Sequence, residues 1–285
     1  MSNTIELAKS FVPKLDECYR LASLTSVLDG APELAKQGAN ANELIISVMS
    51  MDGLADYSRN GGYVQGGVTM TNETVKCNFD RGRRFDVDVM DDLETAGLAF
   101  GRLSAQFIRD KVVPELDAFR FASYCGISGV TKKEETLADG AATVAALSAA
   151  VTAMDDEEVT ATGRYLFITP TLLQGINDMD TTKSKKVLEG FERVIKVPQR
   201  RFYTAIKQLS GKTGEEAGGY TKAAGAANIN FAIVQKDALI QYTKHAAPKI
   251  IAPENNPDAD AYVFGYRMVG IAKAYKNMLS GMYFS

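Results

Sequence analysis

Few side chains in this sequence have types and spacings that could do chemistry. The single histidine, His245, cannot build a multi-histidine metal site, and no Gly-x-Ser-x-Gly elbow accompanies it to complete a hydrolase triad. Three cysteines, Cys18, Cys77 and Cys125, stand far apart and are odd in number. With no Cys-x-x-Cys pair and no Cys/His cluster, they argue against a zinc site and against a disulfide framework, and buried reduced thiols account for them.

Gly211-Lys212-Thr213 matches the end of a phosphate loop. The motif needs a glycine five positions before its Gly-Lys pair, and that position is Ile206, so the backbone cradle is missing and a flexible loop is expected. Glu254, Asp258 and Asp260 lack the spacing and central glycine of a calcium loop and sit in a turn-rich connection through Pro253 and Pro257. The acidic groups at 91–92 and 155–158 have no nucleophile beside them and read as helix-end charge. Asn72-Glu73-Thr74 is a glycosylation sequon only in a secreted chain. No catalytic residue, cofactor site or metal ligand is therefore predicted.

One electrostatic pattern remains. Arg81, Arg83 and Arg84 are followed by Asp86, Asp88, Asp91, Asp92 and Glu94, so positive charge switches to negative within a short stretch. Two readings stay open. The residues form a solvated polar face, or the basic part of one copy meets the acidic part of another, head to tail.

Composition bounds the classes. Of 285 residues, 46% are hydrophobic and 24% charged, ordinary values for a chain that buries a core. With 35 acids against 32 bases the net charge is −3, which disfavours a general DNA or RNA binder. No run approaches the roughly 20 apolar residues of a membrane span. The opening Met1-Ser2-Asn3-Thr4-Ile5-Glu6 has no basic start and apolar stretch of a secretory signal, so a soluble, cytosol-made chain is expected.

The elements that would position these residues follow from periodicity. Residues 5–28 have helix-compatible spacing interrupted by Pro13, 29–42 read as loop and short helix, and 43–49 are compatible with an extended strand. This opening stretch has too few large apolar residues for its own core and reads as an arm. Five glycines in 53–67 precede clean alternation: Val75, Cys77 and Phe79, then Phe85, Val87 and Val89 after Arg81-Gly82. That predicts a long β-hairpin turning at Asp80-Arg81-Gly82, with the glycine-rich stretch as its base. Residues 91–124 keep helical spacing, a span of about 50 Å, with Pro114 expected to kink or break it near 111–113. Further on, helices are predicted at 141–154, 171–177 and 237–243, and strands at 165–169, 194–197, 230–234, 249–251, 262–274 and 281–284. A mobile Gly/Ala/Lys/Thr loop is predicted at 210–228. Strands and helices do not alternate regularly, so an α+β fold is expected.

In this order, the parts resemble the major capsid proteins of tailed bacteriophages with the Hong Kong ninety-seven fold. The likeness rests on the string Phe79-Asp80-Arg81-Gly82-Arg83-Arg84-Phe85-Asp86-Val87-Asp88 and on the long proline-interrupted helix. Towards the C-terminus it continues with Asn230-Ile-Asn-Phe-Ala-Ile-Val-Gln-Lys-Asp-Ala, Lys244-His245 with Pro248, Asn256-Pro-Asp-Ala-Asp-Ala-Tyr262 and Phe264-Gly-Tyr-Arg267. The resemblance implies an N-terminal arm (1–50), an E-loop hairpin (51–88) and a P-domain holding the spine helix (89–130). An A-domain (131–244) and a returning β segment with the C-terminal end (245–285) follow.

The function it implies is structural, not enzymatic: an icosahedral virion shell of pentamers and hexamers, assembled in the host cytoplasm around genomic DNA without sequence-specific binding. Separate scaffolding, portal and decoration proteins are possible partners, and no membrane is. Some members carry an N-terminal scaffolding segment; this sequence starts close to the arm, which implies a separate scaffolding protein or a segment outside the sequence. Lys76 is the one lysine on the hairpin and lies on a strand, so the lysine–asparagine crosslink of some members is not carried over. The alternatives are an encapsulin-like nanocompartment shell and, from another class, a phosphate-binding enzyme using the Gly-Lys-Thr loop.

Overall fold

The computed structural model describes residues 23–30, 36–37, 43–90, 105–179 and 181–285. Most of the predicted arm, Cys18, and the acidic residues Asp91, Asp92 and Glu94 lie outside the described residues.

Three sheets larger than a hairpin organise the chain. The first joins β1 (Lys36–Gln37), β2 (Glu43–Met51) and β3 (Val68–Lys76), all antiparallel. The long sheet orders β11 (Leu239–Ile251), β12 (Ala261–Ala274) and β4 (Phe79–Asp88), also antiparallel. In the five-stranded sheet, of order β5-β13-β10-β6-β7, β5 (Thr131–Lys132) and β7 (Arg193–Lys196) form the edges. Between them lie β13 (Met282–Phe284), β10 (Phe231–Gln235) and β6 (Arg164–Ile168). A small hairpin pairs β8 (Ile206–Gln208) with β9 (Tyr220–Lys222).

The central strands β6 and β10 are buried at every residue, because both faces of their sheet are covered. On one face Tyr165, Phe167, Ala232 and Val234 meet Phe121, Tyr124 and Cys125 of α1 (Val113–Cys125). On the other, Leu166, Ile168, Phe231 and Ile233 meet α2 (Gly140–Asp156) and α3 (Pro170–Asp178) through Leu147, Ala150, Leu173 and Ile176. A short α4 (Thr182–Glu189) is held by a capping box between Thr181 and Ser184. Each large apolar side chain fully buried here contributes about 1.5–3 kcal/mol.

Helix α1 is also buried against the long sheet, where Leu116 packs with Phe79, Phe264, Tyr266 and Met268. It thus joins two cores. Ahead of it the helix widens into a π-helical stretch, Ile108–Val112, with Pro114 just inside α1. Proline cannot donate into the helical ladder, so the expected kink near 111–113 takes the form of a wide turn rather than a break.

Three expectations are corrected. The first is the hairpin: β3 pairs with β2, not with β4, so the projecting hairpin spans 43–76 and the glycine-rich stretch is its tip, not its base. Asp80, Arg81 and Gly82 do not turn; they pair with Val269, Met268 and Arg267 of β12. Gly82 is required by close strand approach, since a Cβ there would lie 2.8 Å from the Tyr266 carbonyl oxygen.

The second concerns 237–243, which continue into β11 after a short 3-10 turn, Lys236–Ala238, capped by the Gln235 side chain. The pull is the long apolar strand β12, against which β11 pairs from Leu239 to Ile251, crossing the expected 244/245 boundary. The third is the loop at 210–228, whose first part closes the ordered β8–β9 hairpin.

Candidate functional site

Glycine pairs at 61–62 and 66–67 allow the chain to reverse between β2 and β3. Asp52 Oδ2 accepts from the Gly67 amide at 2.7 Å, and the Asp52 amide donates to the Gly67 carbonyl at 3.2 Å. Ser58 and Gly62 form a small bridge, Gly62 at φ +74°, and the Tyr57 and Tyr63 rings meet edge to face at 4.9 Å. The tip is therefore a folded knob. Its apolar side chains face outward: Leu54 is 108% exposed and Tyr63 90%, with Met51, Tyr57 and Val64 also exposed. Residues 68–72 of β3 are all exposed, and among the described residues the hairpin is anchored near its base. There Val75 packs with Ile271 and Glu73 pairs with Lys276 at 2.7 Å. Just beyond, Asn78 exchanges two hydrogen bonds with the Ala272 backbone and leads the chain into β4.

The charge switch sits on β4. Arg81 Nε donates to Glu115 Oε1 at 2.8 Å, and its Nη2 donates to the carbonyls of Leu209 and Gly219. Arg83 Nη2 donates to the Glu216 carbonyl at 2.8 Å. A Cβ on Gly211 or on Gly218 would lie 3.0 Å from Arg83 Nη1, and both glycines have positive φ, so the guanidinium passes between them. Both arginines thus bolt the β8–β9 hairpin to the long sheet. Arg84 pairs with Asp86 on its own strand at 2.8 Å, Asp88 Oδ1 accepts from the Met90 amide, and Asp80 pairs with Arg267 at 2.7 Å. The Arg267 hydrogen bond holds the Asp80 carboxyl below its ordinary pKa.

On either side of Gly211-Lys212-Thr213 the backbone amides are already taken by carboxylates. Ser210 N donates to Glu215 Oε2 at 2.7 Å, and Gly214 N to Glu216 Oε1 at 2.8 Å. Lys207 lies 2.6 Å from Glu215, and these bonds hold the Glu215 carboxyl down at about 2. A phosphate would have to displace two carboxylates of the chain itself.

A buried polar cluster on α1 fixes the segment at 23–30. Asp117, wholly buried, accepts from Ser23 Oγ, from the Leu24 and Thr25 amides, from Thr25 Oγ1 at 2.7 Å, and from Arg201 Nη1 at 3.1 Å. Arg120, equally buried, donates to Thr25 Oγ1 and Asp29, while Gln241 accepts from Tyr124 at 2.6 Å and donates to Thr25 O and Asp29. Burial pushes the Tyr124 phenol well above its ordinary range. The sequence signal was available: Asp117 and Arg120 stand three residues apart, among the large apolar residues Leu116, Phe119 and Phe121 of the helix.

Between β4, the helix at 106–115 and the β8–β9 hairpin lies a half-open cavity of about 750 Å³. Phe79, Phe85, Phe107, Tyr203, Tyr220 and Tyr266 supply aromatic walls. Five basic residues line it against two acidic ones. Among the described residues, no group of three or more His, Cys, Asp or Glu side chains gathers to hold a metal ion. No helix among them is long and apolar enough to cross a membrane.

No family model and no curated protein matches the chain. Solved structures do. A virus-like particle from Pyrococcus furiosus matches with TM-score 0.58 and 10% identity over 97% of both chains. The capsid of Myoviridae phage XM1 matches with TM-score 0.54 and 9% identity over 86% of this chain and 85% of that one. The capsid of cyanophage P-SCSP1u matches with TM-score 0.53 and 11% identity, covering 87% and 84%. The chain therefore has the Hong Kong ninety-seven-type capsid fold, an α+β architecture.

Proposed function

We propose that this chain is the major capsid subunit of a tailed bacteriophage, a structural protein that assembles with itself into an icosahedral shell enclosing DNA. The observation that carries the reading is the projecting hairpin: two nine-residue strands ending in a folded knob whose large apolar side chains are exposed. A soluble chain rarely presents such a surface without a partner, and the fold match extends over most of the chain. In the terms of that fold, the hairpin at 43–76 is the E-loop and α1 with its π-helical lead is the spine helix. The long sheet belongs to the P-domain and the five-stranded sheet to the A-domain. The host cytoplasm as assembly site, and scaffolding, portal and decoration proteins as partners, belong to the same proposal.

The test is assembly. The chain should sediment as closed shells that negative-stain images resolve; a chain that stays monomeric both when purified alone and when expressed together with the other proteins of its natural source overturns the reading. A second reading is a compartment shell, favoured by the virus-like particle match over 97% of both chains. Shells isolated from the natural source distinguish the two: packaged genomic DNA supports the capsid, and an enzyme cargo supports the compartment.

A further inference from the structure

The cavity between β4, the helix at 106–115 and the β8–β9 hairpin has no part in the shell reading, and its floor and rim differ in kind. Phe79, Tyr266 and Met268 form a buried, apolar floor. Arg83, Lys111, Arg200 and Lys222 are exposed and form a cationic rim. They come from four separate elements: β4, the π-helical stretch, the turn after β7 and β9.

The rim charge is not compensated within the chain. Both acidic residues of the lining are engaged, Glu115 by Arg81 at 2.8 Å and Asp110 by Arg109 at 3.2 Å. Glu215 and Glu216 do not line the cavity, and their carboxylates accept from the Ser210 and Gly214 amides. Arg83 and Lys222 donate to neutral oxygens, Glu216 O and Asn228 Oδ1. Among the described residues none of the four rim cations has a carboxylate partner. In a chain of net charge −3, four such cations around one opening focus a positive potential there. Aromatic surface lies directly beside the charge, since Lys222 Nζ sits 5.4 Å from the centroid of the Tyr203 ring.

A ligand that satisfies both parts must place a flat ring inside and a multiply charged group outside. A simple anion would leave the aromatic floor in water, and an apolar molecule would leave the rim cations unpaired. We infer that this cavity binds a nucleotide, its base against the aromatic walls of Phe107, Tyr203 and Tyr266 and its phosphate at the rim with Lys111, Arg200 and Lys222. Donors from separate elements can each take a different phosphate oxygen, in charge-assisted hydrogen bonds stronger than neutral ones. The volume of about 750 Å³ lies within the roughly 300–1,000 Å³ of small-molecule pockets. The Gly-Lys-Thr string is not the phosphate site; the rim is. Every group named belongs to one chain, so the site is complete in a single subunit and the inference does not rest on the shell reading.

Calorimetric titration of the full chain with adenosine monophosphate, thymidine monophosphate, ribose 5-phosphate and adenosine tests it. The nucleotides should bind at least about tenfold more tightly than either fragment. Ribose 5-phosphate binding as tightly as the nucleotides would reduce the site to an anion site, adenosine doing so would reduce it to an apolar pocket, and either result overturns the inference. So does the absence of nucleotide binding up to about 10 mM. Phosphorylated tetrathymidylate separates the sources of the ligand: binding no tighter than the monomer assigns a free nucleotide, and tighter binding assigns a single-stranded nucleic acid, the cavity remaining a nucleotide site in both. Location is read by irradiating the wild-type chain with 8-azidoadenosine monophosphate. Adducts on peptides from 105–115 or 199–222 support the inference, and adducts confined to other peptides overturn it. Lys111→Gln with Lys222→Gln, both exposed, should keep the wild-type circular dichroism and weaken nucleotide binding by about tenfold or more. Lys111→Arg with Lys222→Arg should retain it. Unchanged affinity in the glutamine variant overturns the inference, and shell formation bears on none of these readings.

Discussion

Arg201 Nη1 lies 3.1 Å from Asp117 Oδ2, and this pair ties the turn after β7 to a wholly buried carboxylate on α1. The same carboxylate accepts from Ser23, Leu24 and Thr25, so one side chain holds together the segment leaving the arm, α1 and the five-stranded domain. Removing one member of a buried pair leaves the other charged and desolvated, at a cost of about 3–5 kcal/mol. Asp117→Asn should lower unfolding stability by that order in urea titrations and raise amide exchange at 23–30. A loss under about 1 kcal/mol would show that the carboxylate is not the organising charge.

Gly82 stands opposite Arg267 with no room for a Cβ, whereas a Cβ at Gly53 would meet nothing within 4 Å. Gly82→Ala should therefore cost about 1–3 kcal/mol by forcing β4 away from β12. Gly53→Ala should change stability by less than about 0.5 kcal/mol. Thermal unfolding of the two variants decides; equal melting temperatures would mean that β4 and β12 separate freely at that point.

The same glycine explains where sequence reasoning stopped. Alternation at 75–79 and 85–89 was legible and both runs are near or in strands, but Asp-Arg-Gly looked like a turn because glycine marks turns and close approach alike. Pairing of β3 with β2 joins residues from Met51 with Val68 out to Glu43 with Lys76, separations that local periodicity does not report. Buried strands were clear: β6, β10 and β12 are apolar runs, and Pro170 marks the start of α3 as expected. Residues 237–243 misled because their apolar spacing suits a helix in isolation, while β12 supplies a strand partner that propensity cannot see. The knob was missed as a candidate site because Leu54, Tyr57 and Tyr63 have no periodicity, and their exposure is a property of the fold.

Acid should loosen the β8–β9 hairpin in a defined window. Folding lowers the Glu215 pKa from 4.5 to about 2 through Lys207 and the Ser210 amide. The linked stability is therefore fully present above pH 4.5 and is lost as pH falls through about 2. Nuclear magnetic resonance of the Ser210 amide should report a shift that stays constant through the ordinary carboxylate range and changes only as pH falls towards about 2. Glu215→Gln should abolish that change. Titration of the amide near the ordinary carboxylate range would mean that Glu215 is not held by these bonds.

The arginines of β4 are expected to separate on reversal of charge. Arg83 passes between Gly211 and Gly218 and donates to the Glu216 carbonyl, so Arg83→Glu would put a carboxylate against an acceptor and near Glu215 and Glu216. The 206–222 hairpin should then open more often, and limited proteolysis there should quicken by about tenfold, the core staying folded. Arg84 instead pairs with Asp86 on its own strand, both about half exposed. Water and salt replace such a pair readily. Arg84→Glu should leave proteolysis and melting temperature unchanged, so any assembly defect in that variant would come from contact with a second copy. Restoration of assembly on adding Asp86→Arg would then assign the pair to an interface. Normal assembly of Arg84→Glu would make this part of the charge switch a solvated face, with Arg81 and Arg83 serving the chain's own architecture.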